Sequence, residues 1–501
     1  MIVGPTSEGV DADVVILGGG IAGLVVGVAL SDAGLRVMVL ERDELLGGRA
    51  RSWTDPTTGD PVHIGPHIFL SQYPNMLKFM ELLGTRNKVV WDEDQLIRIV
   101  DGRTEIVGKV WRTLPAPLHF IPSLFADKSL SLLDRASGVP VGLLAMQLTE
   151  EDVLDLDGIN AYALLRAMGV TSRYIERFWD PTCMYIMNTP VELCSAGALL
   201  RFFRFLVGHN DYKVGFPDGG LGDVYAPQAM ARIESRGGRV LTKAKARRLI
   251  PAEDRVEAVE LSDGRHLRAS HYVSALPPKA LLDVLPREWV LRHGVFKGLG
   301  DLQACPYIAV YLWFDRKLTP LRFWARAYKQ GDLNSDFYDF SNIYRGWEDR
   351  PSLIGSNIIF SSRLGEMSDE EILAGTLGEI AEFIPEVTEA KVVHSVLNRI
   401  PMAVTCPFPG SERRRAPARS PISNLVLAGD WTRTGLPASM ESAARSGWIA
   451  AEHVLATAGR PARFSLEHTE ATGLAGLVHK MGNLFPVKPA LRRIFARARR
   501  G

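Results

Sequence analysis

Residues Asp13–Arg42 read DVVILGGGIAGLVVGVALSDAGLRVMVLER. Val14 to Leu17 are apolar and rich in β-branched residues, which predicts a short strand. Gly18-Gly19-Gly20-Ile21-Ala22-Gly23 then supplies the G-x-G-x-x-G spacing, followed by a helical stretch closing near Gly34 and a second strand over Arg36 to Leu40. In such a unit Gly18 permits the tight turn, Gly20 lets backbone approach a pyrophosphate, and Gly23 allows the helix to pack close on the strand. The amides of Ile21 and Ala22 open the helix, whose N-terminus faces phosphate charge. Glu41, at the end of the second strand, can accept hydrogen bonds from a ribose, and Arg42 follows it. A glycine triplet alone is an ordinary tight turn. Flanked by two strands and an acid at this spacing, it predicts dinucleotide binding.

The chain around this unit has 501 residues, 46% of them hydrophobic, which exceeds the usual size of one domain and predicts two or more. Its formal charge is +1, so no global field points to nucleic acid, and no nucleic-acid partner is expected. Cys183, Cys194, Cys305 and Cys406 are scattered without metal-like spacing, which argues for a reducing compartment and for neither a disulfide framework nor a metal site. The opening MIVGPTSEGV lacks the basic start and apolar core of a signal peptide, and no apolar run reaches the length of a membrane span. The expected location is the cytoplasm, with peripheral contact to a membrane.

Beyond the acid, ERDELLGGRARS places Gly47, Gly48 and Arg49 after the second strand. Far downstream, NLVLAGDWTRTGLPASMESAARSGWIAAEHVL reads as a strand over Leu425 to Ala428, then Gly429-Asp430, then a helix with Pro437 in its first turn. Small Ala438 and Ser439 leave that helix terminus open, so its amides and positive dipole end can face a negative ligand atom. Between these anchors, FPDGGLGDVYAPQAMARIESRGGRVLTKAKARRLI predicts a Gly-Gly turn, a helix and a strand, and Asp263-Gly264 signals a hairpin.

These segments resemble the phytoene desaturase and hydroxysqualene dehydroxylase-like flavoproteins within the flavin amine oxidase superfamily, through about residue 457. The resemblance implies FAD as cofactor, and an α/β fold with a Rossmann-type FAD-binding domain interleaved with an α+β substrate domain. By the same resemblance Gly47, Gly48 and Arg49 lie along the pyrophosphate and ribityl chain, and Gly65, Pro66 and His67 in HIGPHIFL lie beside the ring. The backbone of Ala246 meets adenine, Asp430 follows Gly429 at the ribityl hydroxyls, and the Met440 amide after Ser439 meets the ring. The cofactor domain is then expected from residues 1–85, 215–280 and 400–460, the substrate domain from 86–214 and 281–399, and a basic amphipathic tail from 461–501.

The substrate region is less distinctive. RTLPAPLHFIPSLFADKSLSLLDRASGVPVGLLAMQL mixes Pro115, Pro117 and Pro122 with large apolar residues, predicting short helices around an apolar opening. RYIERFWDPTCMYIMNTPVELCSA is similar to hydroxysqualene dehydroxylases, while GPHIFLSQYPNMLKFMELLG is similar to phytoene desaturases. The implied activity is hydride exchange between FAD and a long apolar isoprenoid, as carotenoid-type desaturation or squalene-type dehydroxylation. Quinone or oxygen is the expected acceptor in the oxidative direction. Amine oxidation and redox-neutral isoprenoid isomerisation are the alternatives. Amine oxidases often carry an aromatic residue where this chain has Ser439, although Trp431 could provide another wall of an aromatic cage. No residue, including His67, His394 and Arg399, is assigned as catalytic acid or base. The tail carries Lys480, Lys488, Arg492, Arg493, Arg497, Arg499 and Arg500 among apolar residues, a pattern suited to anionic membrane surfaces.

Overall fold

The computed structural model describes residues 9–93, 97–102, 104–109, 111–468 and 470–481. In chain order, its two large sheets use β1 (Ala12–Leu17), β2 (Val37–Leu40), β3 (Ile97–Asp101), β4 (Thr104–Gly108), β5 (Arg239–Leu241) and β6 (Ala269–Ser274). They continue with β7 (Ala304–Phe314), β8 (Phe323–Arg326), β9 (Asp336–Asp339), β10 (Leu353–Ile358), β11 (Val392–Thr405) and β12 (Leu425–Leu427). Among the described residues, one sheet has five strands in the order β5-β2-β1-β6-β12, and the other has seven in the order β11-β7-β10-β9-β8-β3-β4.

The five-stranded sheet is parallel throughout, with Val14 beside Val37 and Val15 beside Tyr272. A parallel sheet is covered on both faces, which is why β1 and β2 read as continuous apolar runs rather than as alternating ones. One face packs on α1 (Ile21–Asp32), α5 (Ala226–Ser235) and α6 (Met440–Thr457); α2 (Pro74–Leu82), α3 (Val139–Gln147) and α4 (Ala196–Gly208) lie between α1 and α5 in the chain. The other face meets residues of the 246–267 hairpin and of the short helices within 278–299. Helix α1 is buried from Ile21 to Ser31, as expected of a helix that is apolar all round. Each of its fully buried valines and leucines contributes about 1.5–3 kcal/mol. The structure thus has the α/β, Rossmann-type architecture expected from the sequence.

The seven-stranded sheet is antiparallel except where β8 runs parallel to β3. Beside it stands a helical cluster that includes α3 and α4, with Ser195 capping α4 by accepting the Ala198 amide at 3.2 Å. Two consecutive π-helical turns, Ile175–Trp179 and Cys183–Met187, end at Asn188 in the left-handed conformation with φ of 59°. All four cysteines are buried and free.

One sequence expectation needs correction. Pro437 precedes the last Rossmann helix rather than sitting in its first turn, because Ser439 is the N-cap and the helix starts at Met440. The Ser439 hydroxyl accepts the Ser442 amide at 3.1 Å, which fixes that start. The first part of the 461–501 tail is docked on the rest of the chain. Leu466 exchanges hydrogen bonds with Asn75, and α7 (Gly473–Met481) buries Ala475 in the helical cluster while its amide donates to Ala116 O at 2.9 Å. Lys488 and the tail arginines lie outside the described residues.

Candidate active site

The loop between β1 and α1 is built for close approach. Gly18 has φ of +105°, open only to glycine without strain, and its amide donates to Leu40 O at 2.8 Å. A Cβ on Gly23 would stand 1.9 Å from Gly18 O, so this residue is the packing contact of helix on turn and does not itself line the cavity described below. Gly20 is the opposite case. A Cβ there would have no protein atom nearer than 3.9 Å, because the position opens into the cavity. Gly20 is also the N-cap of α1 and offers no side-chain acceptor, leaving the first-turn amides free for an anion.

Glu41 is held ready at the end of β2. Its Oε2 accepts the Gly19 amide at 2.8 Å and its Oε1 accepts the Asp43 amide at 3.0 Å. Gly47 closes on the same loop by donating its amide to Gly19 O at 2.9 Å. Arg49 reaches across to the far end of the chain, donating to Asp430 Oδ1 at 2.5 Å and to Ala403 O at 3.2 Å. His67 makes a 2.7 Å hydrogen bond from Nδ1 to Gly65 O, and burial pushes its pKa below the usual histidine value. The neutral ring therefore donates from Nδ1 and keeps Nε2 as an acceptor.

Apart from Gly19 and Gly23, these groups border one cavity of about 1700 Å³. It is lined by Gly18, Gly20, Ile21, Ala22, Glu41, Arg42, Gly47, Gly48 and Arg49. Gly65, Pro66, His67, Ala246, Gly429, Asp430, Ser439 and Met440 complete the expected set around it. Single-ligand pockets run to roughly 1,000 Å³, so this one has room for a dinucleotide and a second molecule. The additional space runs between the seven-stranded sheet and the helical cluster, along Ile99, Leu124, Leu143, Phe178, Phe202 and Leu206. That wall is apolar and aromatic.

Other candidates fall away from the centre. Trp431 is a core residue, 1% exposed, donating from Nε1 to Leu276 O at 3.0 Å, and it is not a wall of this cavity. His394 pairs with Asp55 at 3.2 Å. Arg399 lines the cavity, but its guanidinium is held by Met367 O and Asp369. The π-helical segment was missed by sequence reading, yet Phe178, Tyr185 and Asn188 bring it to the cavity wall. Its aromatic spacing reads as plain α-helix, and π-turns carry no local sequence signature while often marking functional sites. Among the described residues, no group of three or more His, Cys, Asp and Glu could hold a metal ion.

The residues fit FAD on structural grounds. A bulk-free cradle lies at Gly20, uncapped amides open α1, an oriented carboxylate stands at Glu41, and the positive end of α6 borders the same space. The fold and site define a flavoprotein oxidoreductase with a dinucleotide cradle and a long apolar chamber. The family pattern described as flavin containing amine oxidoreductase matches residues 21–455, and the chain belongs to that family as an FAD-dependent oxidoreductase. The 15-cis-phytoene desaturase of Synechococcus elongatus is 29% identical over 459 residues, covering 88% of this chain and 96% of that protein. The chloroplastic/chromoplastic 15-cis-phytoene desaturase of Capsicum annuum is 29% identical over 458 residues, covering 88% and 78%. A putrescine oxidase triple mutant with redesigned cofactor binding shares the fold, with a TM-score of 0.68 at 19% identity, covering 89% of this chain and 99% of its own.

Proposed function

We propose that this oxidoreductase desaturates a long apolar isoprenoid of the phytoene type. The observation that carries the reading is the apolar extension of the cavity, continuous with the dinucleotide cradle and too long and too greasy for a small amine. Likeness to the two desaturases over 88% of the chain supports it, and so does the lack of an aromatic cage where Ser439 stands and Trp431 is withdrawn into the core. Bound FAD would supply the hydride acceptor. The chain's own task is to hold one carbon of a flexible polyene in place and to exclude water. The cofactor contacts proposed with it are α1 amides and Gly20 for pyrophosphate, Glu41 for ribose, and, as the family resemblance implies, Ala246 for adenine and Asp430 and the Met440 amide for the ribityl and ring end; all of them border the cavity, which supports the assignment. His67 with Gly65 and Pro66 would flank the ring.

The division into a cofactor domain (1–85, 215–280, 400–460) and a substrate domain (86–214, 281–399) is supported by the make-up of the sheets, since the parallel one draws on the first set. A quinone-class acceptor, or oxygen, would take the electrons onward. Delivery from a lipid phase is supported by the exposed Leu132 and Leu133, 72% and 73% accessible, with Ile121, Phe125 and Val139 on the segment that also lines the cavity. Among the described residues, no helix is long and apolar enough to cross a membrane, so the contact would be peripheral.

The test is anaerobic mixing of the yellow protein with 15-cis-phytoene in liposomes and, separately, with putrescine and a hydroxysqualene, following flavin absorbance and products. Bleaching with a desaturated product from phytoene is the expected result. Bleaching by the amine alone would overturn the reading.

A further inference from the structure

Acidic residues reach the cavity from several elements, and most are already committed. Glu41 holds two amides, Asp127 pairs with Arg177, Asp430 pairs with Arg49, and Glu441 accepts the Asn75 and Met76 amides at the start of α2. Asp336 has no such duty. It opens β9, lines the cavity and is only 9% exposed. Its Oδ2 accepts the Tyr338 hydroxyl at 2.9 Å, and Asn357 on the neighbouring strand also hydrogen-bonds the carboxyl, which has no ion-pair partner among the described residues. The groups that face it are Tyr338 from its own strand, Asn357 from β10, Tyr307 from β7 and Tyr185 from the second π-turn. None of them is a cation.

Burial drives the Asp336 carboxyl up to about 7, although Tyr338 and Asn357 favour its ionised form. A buried carboxylate without a cation costs stability, and an amide of the same shape would avoid that cost. Such groups persist where a proton must change hands near neutral pH.

We propose that Asp336 is the catalytic base of the reaction, taking the proton that the substrate loses when the new double bond forms. This rests on the desaturase reading above. One C–H bond breaks with its electron pair, and the hydride goes to bound FAD. The neighbouring C–H bond gives its proton to the Asp336 carboxylate, and the electron pair left behind forms the C=C bond. The substrate is oxidised by two electrons, the cofactor is reduced by two, and a quinone-class acceptor removes them while Asp336 returns its proton to solvent. The two losses occur toward different walls. The dinucleotide cradle belongs to the five-stranded sheet and its helices, and Asp336 belongs to the seven-stranded sheet. Losing hydride beside a polyene makes the vicinal hydrogen strongly acidic, so a carboxylate suffices as base, and the ring of Tyr338 offers an electron-rich face to developing positive charge.

The experiment compares wild type, Asp336→Asn, Asp336→Glu and Tyr338→Phe as FAD-loaded proteins. Single-turnover bleaching with 15-cis-phytoene in liposomes is followed across the neutral pH range, together with FAD content and the infrared carbonyl band of protonated carboxylic acid. In wild type the rate should rise with pH through about 7. Asp336→Asn should keep its FAD, slow by on the order of a hundredfold, and lose both the pH rise and an infrared band that titrates near neutrality. Asp336→Glu should restore part of the rate. Tyr338→Phe should move the midpoint to higher pH, because the lost hydrogen bond favoured the carboxylate. Wild-type bleaching that is matched in rate and pH profile by Asp336→Asn would overturn the base assignment and leave the desaturase reading intact. A wild type inert toward phytoene would remove that reading and the base assignment with it. Should Asp336→Asn fail to hold FAD, an unmoved midpoint in Tyr338→Phe overturns the proposal by itself.

Discussion

Arg49 and Asp430 stand 381 positions apart in the sequence and meet at 2.5 Å, with Asp430 almost fully buried. The pair fastens the glycine-rich segment after β2 to the start of the final crossover, two pieces that both border the cofactor cradle. Replacing Arg49 with alanine leaves a buried carboxylate without its cation, at a cost of about 1–3 kcal/mol. The expected outcome is a lower melting temperature and faster loss of FAD on dilution, read by flavin fluorescence. Arg49→Lys should recover charge but only part of the retention, since a lysine has no second N–H fork for Ala403 O. A variant Arg49→Ala that holds FAD as tightly as wild type would show that the pair does not organise the cradle.

Gly20 and Gly23 belong to the same motif and should fail differently. Gly20→Val adds bulk to open cavity, so the chain should fold with a near-native far-ultraviolet spectrum and purify colourless. Gly23→Val drives a side chain into Gly18 O and should cost folding itself, appearing as insoluble protein. The comparison is made on soluble yield and on flavin content per chain. Equal flavin loading in Gly20→Val and wild type would refute the cradle assignment.

Glu41→Gln retains the shape of the side chain and can still accept the Gly19 amide, while weakening its hold on ribose hydroxyls. Loss of a charged hydrogen bond of about 1.5–3 kcal/mol corresponds to roughly tenfold to a hundredfold weaker FAD binding. Titration of apoprotein with FAD measures it directly.

Asp336 also leaves a mark on stability. Its folded value near 7 lies above the ordinary 3.8, so the folded chain binds the proton more tightly than the unfolded one. Stability attributable to this group is therefore intact at about pH 4, falls as pH rises between those values, and is lost above neutrality. Asp336→Asn should raise the melting temperature by a few degrees above neutrality and change it little near pH 4. The same rise at both ends would show that relief of charge burial is not the cause.

Membrane attachment separates two surfaces. Leu132→Asp with Leu133→Asp alters the apolar surface next to the cavity, and truncation after Met481 removes the basic tail without disturbing the docked helix α7. Flotation with anionic vesicles at low and high salt should show the leucine pair reducing binding at both salts and the truncation reducing only the salt-sensitive part. Unchanged flotation in both variants would exclude peripheral attachment through either surface.

The cradle was legible in sequence because its chemistry is local. Gly18, Gly20, Gly23 and Glu41 occur within one strand-turn-helix-strand unit, where spacing translates directly into geometry. The meeting of that unit with Gly47, Arg49 and Gly429-Asp430 was readable only through family resemblance, since no periodicity reports a contact across most of a chain. Asp336 was invisible for a different reason. In the stretch SDFYDF nothing in the spacing marks it out, and its character comes from what surrounds it after folding: Tyr307, Tyr185 and Asn357, each from a different element. Trp431 misled because its place beside Asp430 says nothing of its side chain, which turns into the core under the sheet. Pro437 misled because proline is favoured in a first helical turn, whereas the Ser439 N-cap here sets the start at Met440, three residues later.

The order of strands in the parallel sheet governs when this protein can be born. Strand β6 lies between β1, begun at Ala12, and β12, ended at Leu427, so a ribosome must release nearly the whole chain before the sheet closes. At about 5–20 residues per second that interval lasts on the order of twenty seconds to a minute and a half; β5 and β6 complete the pairing of β2 and β1 part-way through it, and the outer side of β6 waits for β12. Contact order this high slows folding and exposes sticky edges. The cavity wall at Met440 is synthesised last of the cradle's pieces, so the complete cradle exists only once nearly the whole chain has been made.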